Sequence, residues 1–265
     1  MSPPNPVDLL PRLTAIALAA GRRIVEVRNR PHAVTAKGDG SPLTEADLAA
    51  EEVIAAGLAE AAPGVPVLSE EAAQRPDFSP DATFLLVDPL DGTREFVGKS
   101  GEFTVNIALI TAGRPVCGVV HAPALSRLWR GARGHGAETA DVPEGAEAVT
   151  LTWRASHVRA KPAGALTAVA SRSHLDPDTE AFLARLEVSE HRSIGSSLKF
   201  CLVADGEADV YPRFGPTMEW DTGAGHAVLE AAGGRVTRPD GSAFTYGKVA
   251  DGYRNGPFIA WGGAS

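Results

Sequence analysis

Two carboxylates three residues apart, Asp88 and Asp91, close the run Thr83-Phe84-Leu85-Leu86-Val87-Asp88-Pro89-Leu90-Asp91-Gly92-Thr93-Arg94-Glu95-Phe96. Its first five residues are apolar and branched enough to predict a buried strand. Acids at the end of such a strand repel each other unless something offsets the repulsion. Pro89 fixes the turn and Gly92 frees the backbone, so both carboxylates can converge on one point. Hard oxygen ligands of this kind suit Mg²⁺, which takes a few carboxylates together with water and phosphate oxygens. A plain DPxDG turn with solvated acids has the same letters, so the reading depends on acids elsewhere.

Three segments supply them. Val65–Leu68 reads as a short strand ending in Ser69-Glu70-Glu71. If it pairs with the first strand, Glu70 or Glu71 lies next to Asp88. Upstream, the Gly/Ser/Pro cluster at 37–42 is a loop, and Thr44 with Asp47 resembles a capping box. The helix it opens should run to about Ala62 and stop at Pro63-Gly64. Asp47 either favours the positive helix start alone or reaches the acidic site as well. Downstream, Asp221 falls at the expected N-cap of a helix of small residues over Thr222–Ala232. Such a helix start attracts anions, so a metal at Asp221 with phosphate nearby would use both features.

The elements that position these residues fall into two groups. An amphipathic helix is predicted from about Val7 to Arg28, and strands over Glu102–Ile110, Pro115–His121 and Arg127–Trp129 suggest an antiparallel sheet. Asp141–Ala163 is irregular and marks the candidate boundary. Beyond it, strands at Leu166–Ala170 and Ala208–Tyr211 alternate with helices at Asp178–Leu186, Ser196–Val203 and Thr222–Ala232. The expectation is an N-terminal α+β lobe over 1–163 and a C-terminal α/β lobe over 164–265.

A formal charge of −8 argues against a nonspecific grip on nucleic acid. It leaves a small anionic substrate open, because bound metals reverse the local field. Cys117 and Cys201 lack metal-ligand spacing and read as reduced, buried thiols of a cytoplasmic protein. No run approaches the length of a membrane-spanning helix. The sequence leaves open monomer or homodimer, and a peripheral place on the cytoplasmic face of the inner membrane.

Taken together, VDPLDGTREF (Val87–Phe96), WDTGAGHAVLEAAGG (Trp220–Gly234), SEE (Ser69–Glu71) and SPLTEAD (Ser41–Asp47) resemble the inositol monophosphatase superfamily of Mg²⁺-dependent, lithium-sensitive phosphomonoesterases. Within it, GEFTVNIALI (Gly101–Ile110), SRSH (Ser171–His174), GSSLKFCLVADG (Gly195–Gly206) and YPRFGPT (Tyr211–Thr217) are similar to the CysQ-type 3′(2′),5′-bisphosphate nucleotidases. One departure is Gly223, where the family commonly carries alanine; it removes no ligand but is expected to loosen the helix start. The resemblance implies alternating layers of helices and sheets, an α+β and α/β sandwich. It implies two to three Mg²⁺ ions: one on Glu70, Asp88 and the Leu90 carbonyl, a second on Asp88, Asp91 and Asp221, and a weaker third touching Glu70. Thr93 would pair with Asp47 to activate water. His174, Ser196, Lys199 and Arg213 would surround the nucleotide, with Glu70, Leu90, Asp91, Gly92, Thr93 and Asp221 around the phosphate. The implied reaction is hydrolysis of adenosine 3′,5′-bisphosphate, or of its sulfated analogue, in support of sulfur assimilation.

The chemistry of the residues agrees. Phosphate-ester hydrolysis is among the slowest uncatalysed reactions and demands charge neutralisation and alignment. Paired metal ions can clamp the attacking and leaving oxygens. No G-x-S-x-G elbow is present and no Cys stands beside a His, so no covalent nucleophile is indicated. Phosphatases with an aspartyl nucleophile use D-x-D, whereas these acids are spaced D-x-x-D. The remaining alternatives are an inositol- or sugar-phosphate phosphatase sharing every metal ligand, and a non-catalytic nucleotide- or metal-binding module. The joint presence of Asp47, Glu70 and Thr93 favours catalysis over the module.

Overall fold

The structure, a computed structural model, describes residues 3–31, 33–36, 42–72, 82–98, 100–171 and 175–263. His174 and most of the loop expected at 37–42 lie outside them. Helix α1 (Pro6–Arg28) starts at Asn5, whose side chain accepts the Val7 N–H at 3.0 Å, with Pro6 where a missing donor costs nothing. Strands β1 (Val34–Ala36) and β2 (Pro42–Thr44) pair antiparallel, and Thr44 leads directly into α2 (Glu45–Ala61).

A seven-stranded sheet follows: β3 (Val67–Ser69), β4 (Thr83–Asp91), β5 (Thr104–Thr111), β6 (Arg114–Ala122), β7 (Arg127–Ala132), β8 (Gly136–Asp141) and β9 (Arg154–Ser156). These strands lie side by side in chain order, β3 parallel to β4 and every other pair antiparallel. The short helix α3 (Thr93–Val97) leaves the end of β4. The rest of the chain contributes β10 (Leu166–Ser171), α4 (Pro177–Leu183), β11 (Val188–Ile194), α5 (Leu198–Ala204), β12 (Val210–Arg213) and β13 (Thr217–Met218). It ends with α6 (Gly223–Ala231), β14 (Arg235–Thr237), β15 (Arg254–Asn255) and β16 (Phe258–Trp261). A second sheet has the order β11-β10-β12-β16-β14, and β13 pairs with β15.

Alternation along β4 sets the layers. Leu85 and Val87 face the cluster built with Leu13, Ile24, Ile54 and Leu58 of α1 and α2. Phe84 and Leu86 face the opposite way, toward Leu198, Phe200, Val228 and Leu229 of α5 and α6. That same cluster takes in Tyr211 and Phe258 of the second sheet, whose outer residues Ala168, Val210 and Ile259 pack on Phe182 and Leu183 of α4. The result is a five-layered α/β/α/β/α sandwich, and a strand buried on both faces explains why TFLLV shows no polar alternation. Helix α6 sits close on the first sheet: a side chain at Gly118 would come within 2.7 Å of the Ala224 carbonyl oxygen, and one at Gly131 within 2.8 Å of Ala231 Cβ. Gly223 belongs to this contact, since a Cβ there would stand 2.6 Å from Leu86 Cδ2. It therefore seats the helix rather than loosening it.

Among the described residues, the sequence reading missed nine strands: β1, β2, β8, β9, β11, β13, β14, β15 and β16. β1, β2, β9 and β14 span three residues each, β13 and β15 two and β16 four, too few for a periodic signal, while β8 reads Gly-Ala-Glu-Thr-Ala-Asp, with no large apolar residue to mark it. β11 reads Val-Ser-Glu-His-Arg-Ser-Ile and lies at a sheet edge with mostly exposed side chains. Among the described residues, no helix is long and apolar enough to cross a membrane.

Candidate active site

Strands of period two would put Asp88 and Asp91 on opposite faces. The ladder avoids this: Asp88 pairs with Asn106 and Asp91 with Thr104, so three steps along β4 match two along β5. The extra residue is a bulge, and it turns both acids into one pocket. Parallel pairing aligns Ser69 with Val87, and the Glu70 N–H donates to the Val87 carbonyl at 3.1 Å, which places Glu70 beside Asp88. Gly92, at φ 89°, carries the chain from β4 into α3, and a Cβ there would press within 3.0 Å of the Glu102 carbonyl.

The pocket has a volume of about 380 Å³ and is lined by Glu70, Asp88, Leu90, Asp91, Gly92, Thr93, Ser196, Lys199, Arg213 and Asp221, among others. Every described site residue expected from the sequence is therefore at this pocket, except Asp47, which touches it through Thr93. One oxygen each of Glu70, Asp88 and Asp221 lie within 4.8 Å of one another. Asp88 is buried, and its Oδ1 accepts the Leu90 N–H at 3.0 Å. Asp91 stands outside that tightest set, with Oδ2 held by the Ser197 N–H at 2.7 Å.

Burial pushes the Asp91 carboxyl above its ordinary range, while Lys199 and the Ser197 hydrogen bonds pull it back. Burial, then the charges of Asp91 and Glu70, hold Asp221 well above its ordinary range. A cluster of hard oxygens that resists ionising alone is a cluster that a divalent cation relieves.

Asp47 caps α2 and also reaches Thr93 at the pocket. The capping box forms, with the Thr44 N–H and hydroxyl reaching Asp47 Oδ2 at 2.7 and 2.6 Å. Its other oxygen, Oδ1, lies 3.3 Å from Thr93 Oγ1, which in turn lies 3.2 Å from the Leu90 carbonyl oxygen. Asp221, by contrast, is not the N-cap of α6. Thr222 holds that position, and Asp221 Oδ2 turns back to accept the Met218 N–H at 2.7 Å. Asp221 thus reaches back three residues to the main chain before the helix and lines the pocket.

Lys199 is only 3% exposed and Arg213 7%, which removes a solvated-surface reading for either. Lys199 Nζ donates to the Ile194 carbonyl at 3.2 Å and to that of Ser196, and lies 5.2 Å from the Tyr211 ring centre. Burial lowers its pKa to about 8 against the pull of Asp91. Arg213 Nε and Nη2 donate to the carbonyls of Gly215 and Pro216 at 3.2 and 3.0 Å. Asp176 fixes that turn by accepting the Gly215 N–H at 2.9 Å. Ser196 Oγ is buried without a hydrogen-bond partner among the described residues, the condition of a group that awaits a ligand.

Sequence reasoning missed Ser197, Asn106 and the support beneath Asp221. Buried Glu219 accepts the Gly247 and Lys248 N–H groups at 2.8 and 2.9 Å and Lys248 Nζ at 3.1 Å. Lys248 Nζ also reaches Asn255 Oδ1 at 3.0 Å, and Asn255 Nδ2 donates to the Met218 carbonyl at 2.7 Å. An asparagine inside the apolar run TVNIALI was the signal for Asn106, because a buried amide needs partners. Nothing in GSSLK separates the task of Ser196 from that of Ser197.

A layered sandwich with carboxylates gathered at a bulged strand end defines the class. The chain belongs to the inositol monophosphatase family, whose profile matches residues 8–255. It is 43% identical over 248 residues to the 3′(2′),5′-bisphosphate nucleotidase CysQ of Escherichia coli K12, covering 90% of this chain and 94% of the relative. The Buchnera aphidicola protein of the same name is 36% identical over 247 residues, 90% of this chain and 87% of the relative. The crystal structure of CysQ from Bacteroides thetaiotaomicron, a bacterial member of the inositol monophosphatase family, superposes with a TM-score of 0.79 at 39% identity, covering 96% of this chain and 97% of that one. The inositol monophosphatase of Anabaena superposes at 0.74 with 28% identity, over 96% of this chain and 90% of that one.

Proposed function

We propose that the chain is a Mg²⁺-dependent 3′(2′),5′-bisphosphate nucleotidase that releases phosphate from the 3′ position of adenosine 3′,5′-bisphosphate, leaving AMP, or from its sulfated analogue. The observation that carries the reading is a buried ammonium and a buried guanidinium in the same pocket as the acids. A monophosphate needs only the acidic end; a bisphosphate needs a second anion holder, and Lys199 and Arg213 have the charge for it. The similarity to CysQ supports the same substrate class, and the role in sulfur assimilation is the one the family resemblance implies.

Glu70, Asp88, Asp91, Asp221 and the Leu90 carbonyl would hold two to three Mg²⁺ ions. The donors are all oxygen, and the raised Asp91 and Asp221 carboxyls fit a cation among them. When bound, the ions neutralise charge on the phosphate and lower the pKa of water. With the Leu90 carbonyl taken by a cation, the Thr93 hydroxyl would donate to Asp47 and keep a lone pair for a proton of the attacking water. The water oxygen bonds to phosphorus, the bond to the 3′ oxygen breaks, and that oxygen leaves with a proton. Ser196 and His174 would contact the nucleotide, and Lys199 with Arg213 the phosphate that stays. In this reading residues 1–163 supply most metal ligands and 164–265 supply Asp221 and the nucleotide contacts.

A phosphatase acting on inositol phosphate is the second reading, favoured by the superposition on the Anabaena inositol monophosphatase. Rates of phosphate release from adenosine 3′,5′-bisphosphate and from inositol 1-phosphate separate the two. Faster release from the inositol ester would replace the nucleotidase reading.

A further inference from the structure

We propose that Ser197 is a positioning residue that fixes Asp91 and Asp221 for cation binding and ties their geometry to the start of α5, where Ser196 and Lys199 lie. The proposal rests on the metal-site reading above but concerns residues that reading does not use. Two N–H donors end on one carboxylate oxygen: Asp91 Oδ2 takes the Ser197 N–H at 2.7 Å and Asn106 Nδ2 at 3.4 Å, with the Ser197 hydroxyl oxygen 3.1 Å away. Oδ1 takes neither and is the oxygen left for a cation.

The Ser197 hydroxyl does a second task. It lies 2.8 Å from the main-chain carbonyl oxygen of Asp221 and receives Asn106 Nδ2 at 3.1 Å. A hydroxyl has one proton. With Asn106 donating to it and the main-chain N–H already serving Asp91, that proton goes to the nearer acceptor, the Asp221 carbonyl. One buried serine thus holds both aspartates, one at the end of β4 and the other before α6, and Asn106 sets its rotor. Ser197 is 2% exposed and Asn106 1%, so bulk water has no access to replace either contact.

The loop is built to deliver Ser197 there. Glu102 accepts the Gly195 N–H at 2.9 Å, and Ser196 turns the chain at φ 48°. Lys199 folds back on the Ile194 and Ser196 carbonyls. A shift of Ser196 or Lys199 therefore moves the donors that orient Asp91 and Asp221.

Manganese stands in for magnesium as a paramagnetic probe. Mn²⁺ titration of the substrate-free protein, followed by electron paramagnetic resonance and paired with thermal melts, reads the geometry without turnover. Ser197→Ala should weaken Mn²⁺ binding by about 10–100-fold, the usual cost of losing a group that orients a metal ligand, with a melting temperature close to wild type. Asn106→Ala should weaken it less, because its amide meets Asp91 at the long end of hydrogen-bond range. Wild-type affinity in a folded Ser197→Ala protein overturns the proposal. Should that variant be recovered unfolded, Asn106→Ala decides, and unchanged affinity there overturns it equally. Failure of the wild-type protein to bind Mn²⁺ would instead remove the metal-site reading itself.

Discussion

Methionine in place of Lys199 removes an ammonium while keeping most of the buried stem. Burial holds this lysine at a pKa of about 8, against an ordinary 10.5, even with Asp91 raising it. The sign of the stability effect follows. Between about 8 and 10.5 the unfolded chain still binds a proton that the folded chain has released. Stability therefore rises with pH across that window, and below it the charged lysine is a net cost to the free protein. In Lys199→Met the relief of that cost opposes the loss of two carbonyl contacts, so the melting temperature at neutral pH should move little. Substrate binding has the opposite sign. A charge-assisted contact is worth about 1.5–3 kcal/mol, which at about 1.4 kcal/mol per decade raises KM for adenosine 3′,5′-bisphosphate roughly ten- to a hundredfold. The 3′-monophosphate, lacking the second anion, should change little. Wild-type kcat/KM for the bisphosphate should also fall as pH climbs past about 8, where Lys199 loses its charge, and the variant should lack that limb. Steady-state phosphate release on both substrates with parallel melts reads all of this. Equal KM changes on the two substrates would refute the second-phosphate role of Lys199.

Two further outcomes concern the acids. Asp91→Asn and Asp221→Asn keep shape but remove the charge a hard cation needs, so Mg²⁺-dependent turnover should drop to background in each. Most of the activity surviving at saturating Mg²⁺ would contradict the assignment, and unchanged rates in Li⁺ would remove the lithium sensitivity the family resemblance implies. Asp47→Asn and Thr93→Ala separate capping from catalysis. As a cap alone, Asp47 is worth about 1 kcal/mol of stability with kcat untouched; as a water-activating pair, both variants lose kcat by orders of magnitude at near-normal KM.

Much of the site was legible because its chemistry is carried by residue types that are rarely buried. Asp88, Asp91, Glu70 and Asp221 stood out as acids beside apolar runs, and the structure brings all four to one pocket. The bulge that unites Asp88 with Asp91 was readable only in part: Pro89 and Gly92 announced a turn, whereas the strand continues through it to Asp91. Asp221 was expected to cap α6, because the preference of aspartate for N-caps is local, while the Met218 contact depends on a turn held by Lys248, 29 residues from Glu219, and by Asn255, 37 residues from Met218. Ser197 and Asn106 were illegible for the same reason. They lie 91 residues apart and acquire meaning only when the second half of the chain closes on the end of β5. The edge strand β11 escaped because solvent, not a core, determines most of its side chains.

The most direct test of the account is phosphate release from adenosine 3′,5′-bisphosphate and inositol 1-phosphate by the purified protein, in Mg²⁺ and again after chelation. The account predicts preferential turnover of the bisphosphate, abolished by chelator and restored by added Mg²⁺. Undiminished hydrolysis in chelator would contradict the metal-dependent mechanism, and preference for the inositol ester would contradict the nucleotide assignment.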